Sequence, residues 1–188
     1  MRPTRDQARE NRQRILHAAS RLFREQGIHA VGVDAVMKGA GLTHGGFYGH
    51  FKSKADLTAE AVSHAMHEAL QAEPQYGSVK DFAAAYLSKK GRDDAADGCA
   101  VAALGAEIAR LPEGQRGTIS DYVQERIARM EALQERQGEK PDRARAIAEL
   151  SSLVGALVMA RAVDNKELSD EILEKTVEFL GGGGAAAK

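Results

Sequence analysis

"GLTHGGFYGHFKSK", residues 41–54, sets two demands against each other. Phe47, Tyr48 and Phe51 call for a core, whereas Gly41, Gly45, Gly46 and Gly49 weaken any helix that would carry them. Each glycine costs about 1 kcal/mol of helix propensity relative to alanine. That cost is sensible where the backbone must come so close to another molecule that a Cβ would clash. His44, His50, Lys52 and Lys54 lie among these residues, so the molecule approached carries negative charge.

Upstream, Ile15, Ala18, Ala19, Leu22 and Phe23 recur at helical spacing and predict a first helix over roughly residues 5–26, stopped by Gly27. Val33, Val36 and Met37 suggest a short second helix, ended by Gly39 and Gly41. Thr43 fits the N-cap of a third short helix over 44–50. Three helices of decreasing length, the last two joined by the tight "GAGL" turn, read as a helix-turn-helix whose third helix enters the DNA major groove. Phe47 and Phe51, four residues apart, hold that helix on the core, and the Tyr48 hydroxyl is free to reach a phosphate. Lys52 and Lys54 fall where the next helix begins, and a helix N-terminus itself attracts anions.

The net charge of −1 conceals an asymmetry. Residues 1–54 hold ten basic residues (Arg2, Arg5, Arg9, Arg12, Arg14, Arg21, Arg24, Lys38, Lys52, Lys54) and four acids (Asp6, Glu10, Glu25, Asp34), a net of +6. The remainder holds sixteen basic and twenty-three acidic residues, a net of −7. A basic head on an acidic body points to a polyanion partner for the head alone.

The rest of the 188 residues continues the helical pattern, so the expected fold is all-α with about nine helices. Ser53 caps a long fourth helix with Leu57, Ala61, Met66 and Leu70 inward, ended by Pro74 and Gly77. A fifth helix spans 78–88 with Phe82 and Tyr86 inward, and "KKGRDDAADG", 89–98, reads as a polar loop. A sixth follows Asp97, a seventh starts at Pro112 and runs to about Arg136, and "GEKPDR" precedes an eighth. The last covers roughly 169–180, and "GGGGAAAK" has no means to pack. No apolar run reaches membrane-spanning length, and "MRPTRDQARENRQR" has no apolar signal core, so a cytoplasmic protein is expected, with no membrane partner. The single cysteine, Cys99, excludes an internal disulfide.

The segment "ILHAASRLFREQGIHAVGVDAVMKGAGLTHGGFYGHFKSKADL", residues 15–57, closely resembles the tetracycline-repressor (TetR/AcrR) family of bacterial transcription regulators. The matching order is "IL.AA..LF...G", then "AGL", then "FY.HF..K..L". The later "DGCAVAALGAEIARL" also resembles a segment of one branch of that family. The resemblance implies a homodimeric repressor released from a palindromic operator by a small-molecule inducer. Its parts would be a helix-turn-helix DNA-binding domain over 1–52, a larger helical ligand-binding and dimerisation domain over 53–180, and a flexible tail over 181–188. Carried over residue by residue, Thr43, His44, Gly45 and Gly46 fall where the family reads base edges, and Tyr48, His50 and Lys54 where it grips phosphates. One departure is Gly32, which stands where a Ser or Thr usually caps the second helix and touches a phosphate.

Four features of the body complete the reading. Cys99, at the first turn of the sixth helix, is either a sensor of electrophiles or oxidants or a small packing residue, and Asp93, Asp94 and Asp97 oppose its thiolate. His64 and His67 share a helical face, but no further ligand is fixed by the spacing, so no metal and no cofactor is expected. The stripe Met66, Leu70, Phe82, Tyr86, Leu104, Ile108, Tyr122 and Met130 is ordinary core or, with Cys99, the wall of an apolar ligand cavity; the family resemblance favours the cavity. The eighth helix carries Leu153, Val154, Leu157, Val158 and Arg161 among small residues, and with Ile172, Leu173, Val177 and Leu180 of the last helix it would form a four-helix dimer interface. Two alternatives stand beside the repressor: an activator of the same fold, and an enzyme with Cys99 as nucleophile, for which no base or orienting group is legible.

Overall fold

The computed structural model of the chain describes residues 4–111 and 116–182. Among them are nine α-helices, one 3-10 helix and no strand. The order is α1 (Arg5–Gln26), α2 (Val33–Gly39), the 3-10 helix (His44–Gly49), α3 (Lys54–Gln71), α4 (Val79–Tyr86), α5 (Lys89–Asp93), α6 (Ala100–Ile108), α7 (Gly117–Arg136), α8 (Arg143–Ala162) and α9 (Lys166–Gly181). Pro112, the expected start of the seventh helix, lies outside the described residues, as do residues 183–188 of the expected tail; Gly181 ends α9.

The helices form two compact units, Met1–Ala72 with Ala95–Ile119, and Glu73–Asp94 with Ser120–Lys188. The boundary expected at 52/53 falls inside the first unit. Its physical reason is the packing of α3, whose Leu57, Ala61, Ala65 and Met66 are buried and which lies against α1. The α6 helix joins the same core through Leu104 and Ile108.

In the first unit, α1 starts with a capping box: Thr4 Oγ accepts from the Gln7 N–H at 3.2 Å, and the Thr4 N–H donates to Gln7 Oε1 at 2.9 Å. Gly27 ends it at φ 86, its N–H donating to the Phe23 carbonyl, a conformation that favours glycine. Ile15, Ala19 and Phe23 are fully buried along the predicted stripe. Arg24 is buried as well, its guanidinium donating to the carbonyls of Ser20 and Gly98, and desolvation lowers its pKa from the usual arginine value. Glu107 of α6 accepts from the backbone N–H groups of Ile28 at 3.0 Å and His29 at 3.4 Å, satisfying donors in the loop after α1.

In the second unit, α8 packs against α9, α4 against α9, and α5 against α8. The α5 helix occupies the stretch expected as a polar loop. Its sequence is poorly helical alone, and its stability comes from tertiary contacts. Ser88 caps the Gly91 N–H, and Arg161 donates to the carbonyls of Gly91 and Arg92 at its C-terminal end. Arg92 pairs with Asp170 at 2.6 Å, and Lys89 and Arg92 together hold the Asp170 carboxyl below its ordinary pKa. A polar chain leads from the core to the surface: the buried Gln134 amide donates to the buried Glu149 at 3.0 Å, and the half-buried Arg145 donates to the other Glu149 oxygen at 2.7 Å.

Candidate nucleic-acid interface

The turn before the recognition segment is built around Gly41. Its φ of +68 is left-handed, and a Cβ there would stand 2.7 Å from the Arg14 guanidinium. Arg14 in turn donates to the Ala40 carbonyl at 2.5 Å, tying α1 to the turn. Gly32 caps α2 without a side-chain hydrogen bond, so the cap that a Ser or Thr would give is missing.

The expected third α-helix is a 3-10 helix. Three of its six residues are glycine, and its bonds run over shorter loops: Gly46 N–H to the Thr43 carbonyl, and His50 N–H to the Phe47 carbonyl. Thr43 occupies the cap position, but its side chain makes no capping hydrogen bond. Phe47 and Phe51 anchor the segment, both buried and stacked at 5.8 Å between ring centroids. Arg12 lies 4.5 Å over the Phe51 ring and pairs with Glu60 of α3 at 2.5 Å.

The opposite face is open. Thr43, His44, Gly45, Gly46, Tyr48 and Lys52 are exposed, Tyr48 at 74%, while His50 and Lys54 are half-buried. A Cβ on Gly45 or Gly49 would meet no atom within 4 Å, and one on Gly46 only the Met37 methyl at 3.7 Å. None of these three has a positive φ. Nothing inside the chain therefore requires glycine at these positions. They border a concavity of about 600 Å3 that Thr4, Arg5 and Asn11 of the α1 start also line.

The structure also sorts the positive charge of the head. Arg12, Arg14, Arg21 and Arg24 are committed internally, to Glu60, the Ala40 carbonyl, Asp97, and the Ser20 and Gly98 carbonyls. Among the described residues Arg5, Arg9, Lys38 and Lys52 are exposed and outside these contacts, Arg9 beside Asp6 at 3.4 Å, so part of the +6 is architecture. His44 Nδ1 is paired with Asp34. The α3 N-terminus is not an open anion site either. Ser53 Oγ accepts from the Asp56 N–H at 3.1 Å, and Asp56 Oδ2 accepts from the Lys52 N–H at 2.9 Å, so a carboxylate already stands in its first turn.

The other candidate residues separate between the two units. Met66, Leu104 and Ile108 are buried in the first, with Leu70 and Cys99 half-buried; Phe82, Tyr122 and Met130 are buried in the second, with Tyr86 half-buried. Cys99 is a free thiol at the N-cap of α6, one residue before the helix begins, and the neighbouring Asp97 is paired with Arg21.

The dimer-interface candidates divide by burial. Leu153, Leu157, Leu173 and Leu180 are buried within their own unit, while Ile172, Val177 and Arg161 are half-buried, the last holding the end of α5. Of the set, Val158 is exposed. Sequence reasoning missed Ile147, Met159, Leu168 and Phe179, the exposed apolar residues of α8 and α9; Ile147 and Val158 with Ser151 and Gly155 recur at helical spacing.

Residues 15–61 match the family model described as bacterial regulatory proteins of the tetR family. The HTH-type transcriptional regulator AcrR of Shigella flexneri is 46% identical over 59 residues, 31% of this chain and 27% of that protein. The chain thus aligns with less than a third of the length of this curated relative. Over nearly its whole length it shares the fold of a TetR transcriptional regulator from Chloroflexus aurantiacus, at a TM-score of 0.74 and 21% identity, covering 94% of this chain and 96% of that one. FadR of Bacillus subtilis, solved with stearoyl-CoA, has the same fold at a TM-score of 0.58 and 19% identity, covering 88% of this chain and 97% of FadR. The chain carries the helix-turn-helix domain of the bacterial tetR family of regulatory proteins, in the fold of TetR-type transcriptional regulators.

Proposed function

We propose that the protein is a homodimeric repressor that binds a two-fold operator with the open face of residues 43–52 and leaves it when an inducer binds. The observation that carries this reading is the glycine face of the 3-10 helix: three glycines with no internal reason to be glycine, flanked by Thr43, His44 and Tyr48 and held on two stacked phenylalanines. A surface that excludes Cβ atoms fits the edge of a duplex, and Lys52 with the exposed arginines of α1 supplies phosphate contacts. Thr43 and His44 then read bases, and Tyr48, His50 and Lys54 grip the backbone.

The second copy is proposed to seat on Ile147, Val158, Met159, Leu168 and Phe179, apolar groups too numerous for a monomer surface of α8 and α9. Two heads would then stand about 34 Å apart or a multiple of it. Selection from a randomised duplex library at low salt tests the reading. Enrichment of an inverted repeat, with affinity falling steeply as salt rises, is expected; enrichment of nothing would contradict it.

The inducer is proposed to be either a small molecule with an apolar part, FadR having been solved in this fold with stearoyl-CoA, or an electrophile that modifies Cys99. A specific contact favours keeping the thiol route: Asp97 and Gly98, directly before Cys99, are bonded to Arg21 and Arg24 of α1. Bulk added at Cys99 would push on the first helix of the head. Operator release by a thiol-selective electrophile in wild type but not in Cys99→Ser supports that route, and equal response in both removes it.

A further inference from the structure

The pair His64 and His67, adjacent on one helical face in the sequence, is not the cluster the fold builds. His67 Nε2 instead lies 2.8 Å from the amide of Gln71. His64 faces His17 of α1, with ring centroids 6.5 Å apart and planes at 88°, and both face Glu68, one turn on from His64. Glu68 Oε1 is 3.2 Å from His64 Nε2 and 3.7 Å from His17 Nδ1, and the ligand atoms of all three lie within 4.8 Å of one another. The His64 side chain is only 18% exposed, and its Nε2 is buried without a hydrogen-bond partner despite the nearby carboxylate. A buried imidazole nitrogen left unmade is costly, and a metal ion satisfies it.

We infer that His17, His64 and Glu68 form a zinc site that bridges α1 and α3. Two imidazoles and a carboxylate are a known donor set for Zn2+, leaving a fourth position for water. In tetrahedral geometry, with bonds of about 2.0–2.1 Å, neighbouring donor atoms stand roughly 3.4 Å apart. The two distances to Glu68, 3.2 and 3.7 Å, bracket that figure, and the two imidazole nitrogens lie within 4.8 Å of each other, so binding requires the histidine rings to draw together. The three residues line a solvent-open groove of about 1090 Å3, which provides an entry path. Of the cations near it, Arg21 is paired with Asp97 and Arg14 is directed onto the Ala40 carbonyl, while Lys38 in the wall and the buried Arg24, which interacts with Glu68, oppose the ion and weaken its binding. The ion clamps the first helix of the head to α3 and stabilises the first unit by mass action, since the unfolded chain cannot present the three ligands together.

The test uses the full, untagged chain and Zn2+ competed against a chromophoric chelator. Wild type takes up one zinc per chain and melts at a higher temperature in its presence. His64→Ala and Glu68→Gln each weaken uptake by about tenfold or more, and His17→Ala does the same, with the thermal shift lost in each. His67→Ala and Cys99→Ser retain both. Circular dichroism separates misfolding from ligand loss, and Glu68→Gln, at a part-exposed side chain, keeps the test valid if a histidine variant fails to fold. Wild type that takes up no zinc at micromolar concentration, uptake that survives His64→Ala and Glu68→Gln, or uptake lost in Cys99→Ser would overturn the assignment.

Discussion

Gly45 in the 3-10 helix and Gly155 in α8 share one property: a Cβ on either would meet no atom of the chain within 4 Å. Their surroundings differ. Gly45 lies among Thr43, His44, Tyr48 and Lys52, whereas Gly155 lies on the stripe with Ile147 and Val158. Two bare stretches of backbone are thus open to the outside, one in polar and basic company and one in apolar company. A glycine that its own fold does not require leaves room for a close approach, and the neighbouring side chains carry the two proposals: a duplex at the first and a second copy's helix at the second.

The largest effect separates the buried and exposed rows of α8. Leu157 is 1% exposed, so Leu157→Glu places an unpaired charge in the core of the second unit and should cost about 3–5 kcal/mol, read as loss of cooperative melting. Met159, 54% exposed, tolerates Met159→Glu in the folded chain but not in the proposed dimer. Light scattering should then give a monomer with near wild-type melting. A dimer that survives Met159→Glu with Val158→Glu would move the interface off α8.

A smaller effect divides the polar neighbours of Gly45. Thr43→Ala should relax discrimination between operator and mutated operator by about 1–3 kcal/mol, whereas Lys52→Ala should weaken binding to all duplexes alike and flatten the salt dependence by about one counterion. Competition binding with two duplexes reads both. The smallest effect is on stability: Gly45→Ala should leave the unfolding free energy unchanged or raise it, by up to about 1 kcal/mol, because helix propensity improves and the new methyl meets nothing within 4 Å. A clear loss of stability would show that this glycine serves the fold after all.

Much of the head was legible because its signals are local. The Ile15–Phe23 stripe, the stop at Gly27 and the Ser53 cap are each written within a few residues; α1 spans the residues they predict and α3 begins at the Ser53 cap, ending at Gln71, a little before Pro74. What was not legible rests on contacts distant in the chain. The α5 helix looks like a loop because Arg161 and Asp170, which hold it, lie about seventy to eighty positions away. The outward face of α8 could not be read because apolar residues surround that helix on several sides, so periodicity gives no direction; Leu153 and Leu157 turn inward, and Val158 and Met159 outward. The role of the arginines in the charge of the head was hidden for the same reason, since Arg21 and Arg24 find Asp97 and Gly98 only in three dimensions. His17 joins His64 likewise.

The central claim is that the open glycine face is a duplex-binding surface. It is tested most directly by Gly45→Leu, with melting temperature and operator affinity measured on the same preparation. Position 45 is exposed and a Cβ there meets no atom within 4 Å, so the expected result is an unchanged melting curve together with loss of operator binding by about a hundredfold or more, equivalent to roughly 2.8 kcal/mol or above. Operator binding at wild-type affinity by a normally folded Gly45→Leu would contradict it.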